Sequence, residues 1–556
     1  MFFFCVDNAS PIPYPMDPIC IFQDGAVRSG GFIDHLKKES ELSSLTFKGV
    51  SFSYDGSTEG LFSALDFGVS VGWTGVLGRN GAGKTTLLQL ACGELQPRQG
   101  AVHAPPSAVY CPQRTDAPML RFGEFLEDTS GGAYRLRGRL GIEEEWQRRW
   151  DSLSHGERKR AQIGTALWLE PDLLAIDEPT NHLDRVASRM IREALGSYRG
   201  VGLLVSHDRG LLDALCRHVL MVEPPSVSLR SGGYSTATRA LQAEEEEAAA
   251  ERRRLQQEHR RLRREADVRR RHVDRAEKAK SLRGVAPRDH DARYKARVAR
   301  ISDGQTSKRL RQLDGRIRQM ADKRDEIHLR RSGPMGVEFR GEVSTRNALF
   351  RLTEGEIALG AERILLHGDL IMLPRDRVAV VGPNGSGKTT LIERIVSRLL
   401  VPRERTAYIP QEITAGDSRD LLDEVQRMPA DQRGRIMRCV SRLGSVPEQL
   451  LGSACPSPGE TRKLLLALHL ANCAQLIMMD EPTNHMDLPS IECLEEALRS
   501  YVGGLLLVSH DRRFVESLTS ARWEIIPDDP QGKRQTVRCT IKRCERSEAR
   551  TGGAEK

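Results

Sequence analysis

Four short apolar runs, in two matched pairs, dominate the hydropathy pattern of this chain. The first pair, residues 74–77 and 378–381, leads into a glycine-rich turn and then into a run compatible with a helix. The second pair, residues 173–176 and 476–479, is followed directly by two acidic residues. Short continuous apolar runs bounded by turn residues are typical of buried strands. The pattern therefore predicts an α/β fold.

A second pattern, with helical spacing, occupies the middle of the chain. Apolar residues recur every seven positions at Leu241, Ala248, Leu255 and Leu262. Further along, apolar residues step by three and four at Leu310, Leu313, Ile317, Met320 and Ile327. These spacings predict two helices in an antiparallel hairpin, whose tip at about residues 282–304 contains the breakers Gly284, Pro287 and Gly304.

The chain also repeats itself, which fixes its domain plan. Residues 78–86 return as 382–390, residues 177–184 as 480–487 and residues 206–208 as 509–511, with offsets of 304, 303 and 303. Nearly constant spacing over three motifs indicates a duplicated domain. We predict an N-terminal extension without periodic pattern over residues 1–42, one copy over 43–224, the helical linker over 225–336, a second copy over 337–526 and a basic tail over 527–556.

The glycine-rich turns carry the G-x-x-x-x-G-K-T pattern of a phosphate-binding loop. The glycines let backbone N–H groups approach phosphates, and the following helix N-terminus favours negative charge. We expect Lys84 and Lys388 to reach the β and γ phosphates, and Thr85 and Thr389 to hold Mg²⁺. For a single loop, the alternative is a glycine turn without a binding function. Because the pattern occurs twice at matched spacing, this alternative is negligible. The predicted nucleotide-binding residues here are Gly78, Asn80, Gly81, Gly83, Lys84, Thr85 and Thr86, and Gly382, Asn384, Gly385, Gly387, Lys388, Thr389 and Thr390.

Two acid pairs follow the other two predicted strands. Open α/β sheets place ligands at the carboxyl ends of their strands, which is where these pairs lie. Asp177 and Asp480 suit Mg²⁺, whereas Glu178 and Glu481 are placed to orient or deprotonate an attacking water. Capping of the next helix is the alternative for either pair alone. Both sites are predicted to hydrolyse nucleotide.

The run Glu-Pro-Thr-Asn-His-Leu-Asp at residues 178–184 returns at residues 481–487 with Met486 in place of leucine. Together with the phosphate loops, it resembles the F class of ATP-binding cassette proteins, which fuse two cassettes without transmembrane domains. The resemblance implies two P-loop NTPase cassette domains joined by an antiparallel α-helical hairpin linker, and an ATPase that uses ATP and Mg²⁺. By the same resemblance, Gln113 and Gln411 sense the metal and the γ-phosphate, and His207 and His510 are switch histidines.

In cassette proteins each ATP lies between one phosphate loop and the signature turn of the other cassette, usually Leu-Ser-Gly-Gly followed by Glu or Gln. This chain has Leu-Ser-His-Gly-Glu at residues 153–157 and Pro-Ser-Pro-Gly-Glu at residues 456–460, which keeps Ser154, Gly156, Ser457 and Gly459 as predicted nucleotide contacts. Pro458 removes one N–H and fixes φ. We therefore predict that the site built from Lys84, Glu178 and the Ser457 turn is the weaker or slower one.

One aromatic residue upstream of the first phosphate loop has two interpretations. Tyr54 either stacks on adenine or belongs to the core, with equal weight, and the second copy offers Leu359 at the corresponding place.

Positive charge is concentrated in the predicted hairpin. Residues 237–331 contain 29 Lys or Arg and 17 Asp or Glu, a net of +12, whereas the whole chain carries +8. A solvated spacer is the alternative, but a spacer needs mixed charge rather than arginines clustered at a tip. Arginine binds phosphate through bidentate contacts and Tyr294 can stack on a base, so that RNA is the favoured partner. The tip cations are Arg283, Arg288, Arg293, Lys295, Arg297 and Arg300.

The family resemblance agrees with an RNA partner, because F-class proteins use this hairpin to enter the tRNA exit site of the ribosome and approach the P-site tRNA. It implies a ribosome partner, rRNA and tRNA, for a monomer whose two cassettes close on ATP. A housekeeping translation factor and an antibiotic-resistance factor that protects ribosomes remain open alternatives. An ATPase subunit of a membrane transporter and a DNA-binding ATPase are the rivals from other classes.

Composition excludes several further classes. No window approaches ~18 apolar residues, and the first 20 residues lack a basic segment followed by an apolar one, so neither a membrane span nor export is expected. The 11 cysteines are scattered without a C-x-x-C pair, which favours reduced thiols over a zinc or iron–sulfur site. A cytoplasmic location is the expectation.

Overall fold

The structure is a computed structural model, and it describes residues 44–56, 60–181, 183–280, 291, 294, 311–325, 341–359, 363–411, 413–445, 447–453, 456–471, 473–484, 486–527 and 537–545. These residues form two α/β repeats with helices of the linker between them. The predicted extension and, apart from Asp291 and Tyr294, the predicted hairpin tip lie outside the described residues.

Two sheets form the core of the first repeat. The larger one contains β3 (Gly72–Gly78), β5 (Ala108–Cys111), β6 (Leu173–Asp177), β7 (Val201–Val205), β8 (Cys216–Glu223) and β9 (Ser226–Ser231). Its order is β5-β6-β7-β3-β8-β9, parallel except for the last pair. The smaller antiparallel sheet contains β1 (Leu45–Phe52), β2 (Phe62–Val69) and β4 (Gln99–His103), in the order β2-β1-β4. Every residue of β6 and β7 is buried, which explains their continuous apolar sequence.

Four of the six described helices of the first repeat start next to predicted motifs. The six helices are α1 (Lys84–Ala91), α2 (Phe122–Glu127), α3 (Gly131–Leu140), α4 (His155–Trp168), α5 (Arg185–Leu195) and α6 (Arg209–Leu215), with short 3-10 turns at Glu144–Gln147 and Trp150–Ser152. Asp184 and Asp208 cap α5 and α6, since each side chain accepts hydrogen bonds from two backbone N–H groups of the first turn. The motifs therefore also determine where these helices begin.

The second repeat has the same parallel centre. Its strands are β10 (Phe350–Leu352), β11 (Gly355–Ala358), β12 (Arg363–His367), β13 (Leu370–Met372), β14 (Arg377–Val381), β15 (Thr406–Ile409), β16 (Leu476–Asp480), β17 (Gly504–Val508), β18 (Ala521–Pro527) and β19 (Val537–Glu545). The main sheet has the order β11-β12-β19-β18-β14-β17-β16-β15, and β10 pairs separately with β13. Its parallel strands β14, β17, β16 and β15 correspond to β3, β7, β6 and β5.

The helices of the second repeat follow in the same arrangement. They are α9 (Lys388–Val396), α10 (Ala415–Arg427), α11 (Ala430–Arg442), α12 (Pro447–Gly452), α13 (Pro458–Ala471), α14 (Leu488–Ser500) and α15 (Arg512–Leu518), with a 3-10 turn at Arg403–Arg405. Asp487 accepts a hydrogen bond from the Ser490 N–H and so caps α14. The α/β class predicted from the sequence is confirmed.

The linker contains two helices that run in opposite directions. A single helix of 47 residues, α7, covers Tyr234–Lys280, and α8 covers residues 311–325. Arg270 forms an ion pair of 2.7 Å with Asp314, and His259 interacts electrostatically with Arg324. Because the earlier residue of α7 meets the later residue of α8, the helices are antiparallel, as the apolar spacing predicts. Their buried contact residues include Leu262, Ala266 and Leu313.

The structure corrects two of the predicted domain boundaries. Strand β9 pairs with β8, so the first repeat continues past residue 224 and the linker helix starts only at Tyr234. Strand β19 pairs with both β12 and β18, so part of the predicted tail belongs to the sheet of the second repeat. Neither strand has a continuous apolar sequence, and their pairing depends on partners that the local pattern does not show.

The two repeats share one apolar cluster. It includes Leu183, Leu211 and Tyr234 from the first half of the chain, and Met486, Leu488 and Phe514 from the second. None of the helices in the described part of the chain is both long and apolar enough to cross a membrane. The repeats therefore pack on each other through buried side chains.

Candidate nucleotide sites between the two repeats

Each phosphate loop connects a buried strand to a helix. Gly83 and Gly387 stand directly before α1 and α9 with φ of 89° and 91°, a left-handed conformation that suits glycine. A Cβ on Gly83 would lie only 2.8 Å from the ring of Phe62. Glycine is therefore required here both by the backbone and by the neighbouring side chain.

The lysine of each loop folds over the loop itself. Lys84 Nζ donates to the carbonyl oxygen of Gly78 at 2.9 Å, and Lys388 Nζ donates to that of Gly382 at 3.0 Å. Burial lowers the pKa of both lysines, and nearby carboxylates act in the opposite direction. Both ammonium groups thus lie against the carbonyl oxygens at the start of their own loop.

The threonine of each loop is bonded to the aspartate at the end of the central strand. Thr85 Oγ1 donates to Asp177 Oδ2, and Thr389 Oγ1 donates to Asp480 Oδ2, both at 2.6 Å. In the second repeat, Asp480 Oδ1 is buried without a hydrogen-bond partner among the described residues. A hydroxyl beside an unsatisfied carboxylate oxygen fits a hard divalent cation such as Mg²⁺.

The glutamate after each aspartate is almost fully buried, and a histidine covers it. Glu178 accepts a hydrogen bond from the backbone N–H of His207 at 3.2 Å, and its Oε1 is 3.0 Å from His207 Nε2. Glu481 is arranged in the same way against His510, with 3.3 Å for both distances. Both glutamates have φ of 48°, which is rare outside glycine and fixes the direction of the carboxylate.

The protonation of these groups follows from their burial. Burial raises the pKa of Glu178 and Glu481 to about 8 in both cases. Burial also lowers the pKa of His510 to about 4, with Lys388 contributing, and its Nε2 lies 3.1 Å from Asn384 Oδ1. A carboxylate with a pKa near neutrality is suited to accept a proton from water.

The second phosphate loop faces the signature turn of the first repeat across one cavity of ≈ 1150 Å³, which we call the second pocket. From the first repeat, its lining includes Ser154, His155, Gly156, Glu157 and Asp184. From the second repeat, it includes Leu359, Asn384, Gly385, Gly387, Lys388, Thr389, Thr390, Gln411, Glu481 and His510. The composite arrangement expected for cassette proteins is therefore present at this loop.

The first phosphate loop also contacts the second repeat, and we call the site at this loop the first pocket. The backbone N–H of Asn80 donates to Asp487 Oδ2 at 3.1 Å, and the Arg79 guanidinium donates to the carbonyl of Gly444. Although burial acts to raise it, the pKa of Asp487 is held below its usual range by Lys463 and by the hydrogen bonds that Asp487 accepts from Ser490 and Asn80. The two repeats thus contact each other directly at the nucleotide loop.

Both signature turns keep the same helix start despite their different sequences. Ser154 and Ser457 each accept a hydrogen bond at 3.3 Å from the N–H of the glutamate three residues later, Glu157 or Glu460. That glutamate accepts in return from the serine N–H, at 2.8 Å and 3.1 Å. Helix α13 begins at Pro458, and the first position of a helix tolerates proline because the N–H there has no partner within the helix. The proline therefore preserves the fold of the turn and removes only an N–H that points out of the helix.

The structure places Gln411, Gln113 and Tyr54, three residues singled out in the sequence, in different surroundings. Gln411 lines the second pocket with Lys388, whereas Gln113 lines a separate cavity of ≈ 430 Å³ beside Leu153 and Asn181. The side chain of Tyr54 is half exposed and bonds Thr86 Oγ1 at 2.7 Å, so the interpretation as a core residue is wrong.

The sequence analysis assigned no role to the aspartates that end the two acidic motifs. Asp184 lines the second pocket and partly opposes the burial that lowers the pKa of Lys388, while Asp487 accepts a hydrogen bond from the first phosphate loop. Each aspartate therefore acts on the loop of the opposite repeat. The sequence shows that both aspartates lie close to the acid pairs. It does not show that each aspartate meets the phosphate loop of the other repeat.

Two phosphate loops, each closed by the signature turn or the aspartate of the other half, define a tandem ATP-binding cassette ATPase. The family model described as "ABC transporter" matches residues 63–181 and 369–484. The ATP-binding protein Uup of Caulobacter vibrioides is 30% identical over 478 residues, which cover 80% of this chain and 71% of the relative.

Two further relatives are similar over most of this chain, and one solved structure shares its fold. The ribosome protection protein VmlR of Bacillus subtilis is 27% identical over 85% of this chain and 85% of its own length. The tylosin resistance ATP-binding protein TlrC of Streptomyces fradiae is 29% identical over 88% of this chain and 98% of its own length. A structure titled RNase-L Inhibitor shares the fold with a TM-score of 0.56 and 19% identity, over 89% of this chain and 90% of that one.

The chain belongs to the F class of ATP-binding cassette proteins and is an ATPase. Its cassettes bind ATP.

Proposed function

We propose that this protein is a ribosome-bound factor whose basic hairpin contacts rRNA and tRNA while two ATP molecules hold the cassettes closed. The observation that carries the proposal is the attachment of the hairpin at the cassette interface. The hydroxyl of Tyr234, the first residue of α7, donates to Glu492 Oε1 on α14 of the second cassette at 2.5 Å. The orientation of the hairpin therefore depends on the relative position of the two cassettes.

A single helix connects this attachment to the first pocket. Helix α14 is capped by Asp487, which accepts the hydrogen bond of Asn80 in the first phosphate loop. Two turns further on, the same helix carries Glu495, which forms a buried ion pair of 2.9 Å with Arg209 of the first cassette. Closing around ATP would therefore move or hold the base of the hairpin through a rigid element.

Each pocket would supply the groups that phosphoryl transfer needs. Thr85 with Asp177, and Thr389 with Asp480, would hold Mg²⁺, aided by Gln113 and Gln411. The bound ion would neutralise charge on the β and γ phosphates. Glu178 and Glu481 would orient the attacking water and accept its proton, and His207 and His510 would hold the carboxylates in place. Hydrolysis would then open the cassettes, so that ATP acts as a timer for release.

The exposed charge of the linker supports an RNA partner. Four arginines on α7, within residues 260–264, are exposed, and Tyr294 is 69% exposed. Guanidinium groups bind phosphate oxygens and aromatic rings stack on unpaired bases, which are the two contacts that structured RNA offers. The relative VmlR is named for ribosome protection, which agrees with this partner.

Ribosome pelleting with the doubly substituted variant Glu178→Gln, Glu481→Gln tests the proposal. Its pockets would bind ATP without turnover, so we expect it to sediment with ribosomes when ATP is present and to remain in the supernatant without nucleotide. The same variant tested on membrane vesicles and on duplex DNA separates the rivals, a transporter subunit and a DNA-binding ATPase. Binding to either of these with none to ribosomes would contradict the proposal.

Drug resistance is a separate question, and the names of two relatives favour testing it. TlrC is named for tylosin resistance, and MsrA of Staphylococcus epidermidis, 28% identical over 81% of this chain and 91% of its own length, is named for erythromycin resistance. Minimum inhibitory concentrations of both drugs, in a susceptible strain expressing either the intact chain or the Glu178→Gln, Glu481→Gln variant, distinguish the two possibilities. Resistance requires a rise with the intact chain only, and a housekeeping role predicts no rise.

A further inference from the structure

Each signature helix contains a buried cation that no predicted motif explains. Lys159 lies on α4 and is 0% exposed, and Arg462 lies on α13 and is 5% exposed. Both stand five residues after the signature serine, Ser154 or Ser457, and so occupy equivalent positions in the two cassettes. Their contacts are also equivalent, although one is a lysine and the other an arginine.

Each cation bonds backbone carbonyls of two catalytic segments in its own cassette. Lys159 Nζ donates to the carbonyl of Pro112 at 2.7 Å and to that of Asp177 at 3.1 Å. Pro112 directly precedes Gln113, and Asp177 directly precedes Glu178. The cation therefore joins the signature helix to the glutamine loop and to the end of the catalytic strand.

Arg462 repeats this arrangement in the second cassette. Its guanidinium donates to the carbonyls of Gln411 and Asn484, and to that of Glu481 at 3.4 Å. The same three elements are thus connected: signature helix, glutamine loop and catalytic glutamate.

The cost of burial indicates that these cations do more than fill space. A buried charge is expensive, and an apolar side chain of the same length would often give equal or higher stability. Burial lowers the pKa of Lys159 to about 8, in agreement with that cost. The cation therefore contributes through the direction of its hydrogen bonds, which hold three backbone segments in one fixed arrangement.

The connection crosses between the two ATP sites. The signature turn of the first cassette lines the second pocket, where Lys388 and Glu481 lie. Glu178 instead interacts electrostatically with Lys84 of the first phosphate loop, and Gln113 is predicted to serve the same loop. A displacement of α4 when ATP enters the second pocket would thus be transmitted by Lys159 to the catalytic groups of the first.

We propose that Lys159 and Arg462 are positioning residues that couple the two ATP sites, each by fixing a signature helix to the glutamine loop and catalytic strand of its own cassette. This rests on the composite pockets of the proposed function. It adds a direct route by which occupancy of one pocket affects catalysis in the other.

Turnover in single-site backgrounds tests the coupling, with Lys159→Met as the variant. In the Glu481→Gln background only the first pocket turns over, and we expect kcat to fall roughly 10- to 100-fold because the catalytic carboxylate is misplaced. In the Glu178→Gln background only the second pocket turns over, and we expect KM for ATP to rise because the Ser154 turn is no longer held. Lys159→Arg restores both parameters, since a guanidinium reaches the same carbonyls.

Two controls separate coupling from a structural role. Arg189→Met removes a surface cation of the same cassette, whose side chain is 67% exposed, and leaves both parameters unchanged. Binding of a fluorescent ATP analogue to the Glu178→Gln, Glu481→Gln variant gives a Hill coefficient without turnover, and Lys159→Met lowers it toward 1.

The outcomes are distinct for each hypothesis. A change confined to one pocket, or a loss of thermal stability with the Hill coefficient intact, overturns the coupling. If the composite pockets of the proposed function do not form, the result is different: the unsubstituted chain itself shows neither turnover nor cooperative ATP binding.

Discussion

The two signature turns differ most at the residue after the serine, which is His155 in the turn that lines the second pocket and Pro458 in the turn predicted to serve the first. Both residues start a helix, and both turns are held by the same serine–glutamate hydrogen bonds. The difference is therefore chemical rather than architectural. At the first pocket one backbone N–H is missing from the group of donors that would face the γ-phosphate.

This difference predicts unequal effects of the two glutamate substitutions. Glu481→Gln, which silences the second pocket, should remove most of the steady-state ATPase activity, whereas Glu178→Gln should remove the smaller part. If the missing N–H hydrogen bond stabilises the transition state by roughly 1 kcal/mol, the two pockets differ about fivefold in rate. Phosphate release by the two purified variants measures the ratio. Equal losses would show that Pro458 does not impair the first pocket.

Restoring the missing donor tests the cause. Pro458→Gly in the Glu481→Gln background should raise turnover of the first pocket about fivefold, because the N–H returns. His155→Gly in the Glu178→Gln background is the matched control, since it changes the same position without changing the number of N–H groups. A similar gain in both variants would instead point to side-chain crowding.

At the level of elements, helix α14 has contacts at several points along one side of the cassette interface. Its cap contacts the first phosphate loop, and its middle contacts Arg209 and Tyr234. Nearby, Arg513 of α15 pairs with Asp213 at 2.5 Å. These polar contacts cluster where the linker leaves the first cassette, which makes this side of the interface suited to transmit closure to the hairpin.

Removal of one hydroxyl should separate ATP turnover from ribosome binding. Tyr234→Phe loses a buried hydrogen bond to a carboxylate, worth roughly 1.5–3 kcal/mol, and leaves both pockets intact. We expect near-normal basal ATPase and weaker ATP-dependent sedimentation with ribosomes. Tyr198→Phe is the control, because that hydroxyl bonds the Pro171 carbonyl within the first cassette at 2.8 Å. A parallel loss in both variants would argue against a specific role for the contact at the hairpin base.

On the scale of the whole molecule, charge and apolar surface are divided between parts with different tasks. The cassettes share a continuous apolar cluster, whereas the linker carries the net positive charge. Charge concentrated on a projecting element favours contact with a polyanion, while the cassettes remain free to open and close.

The salt dependence of ribosome binding should therefore depend on the hairpin. Substitution of Arg293, Arg297 and Arg300 by glutamine should weaken binding and flatten the plot of log affinity against log salt, because fewer counterions are released. Substitution of the exposed Arg435, Arg438 and Arg442 on α11 of the second cassette removes the same charge elsewhere. Sedimentation from low to high salt compares the two variants. If both changed the slope equally, general charge and not the hairpin would dominate.

Much of the fold could be predicted because its signals are local. The strands before Gly78 and Gly382, the acid pairs and the helical spacing of the linker are each visible within about 20 residues. Strand β9 was missed because it lies at a sheet edge, and β19 was missed although it lies inside its sheet, because neither sequence has a continuous apolar run. The same holds for Lys159 and Arg462, which look like ordinary charges of a helix surface until the helix is packed.

The sequence by itself determined the two phosphate loops, their acid pairs and the charge of the hairpin, because backbone conformation and local chemistry depend on neighbouring residues. Only the tertiary structure decided which groups meet across the interface. Asn80 and Asp487 are separated by 407 residues, and Tyr234 and Glu492 by 258. Contacts at such separations depend on how two packed cores dock, and no local pattern encodes that geometry.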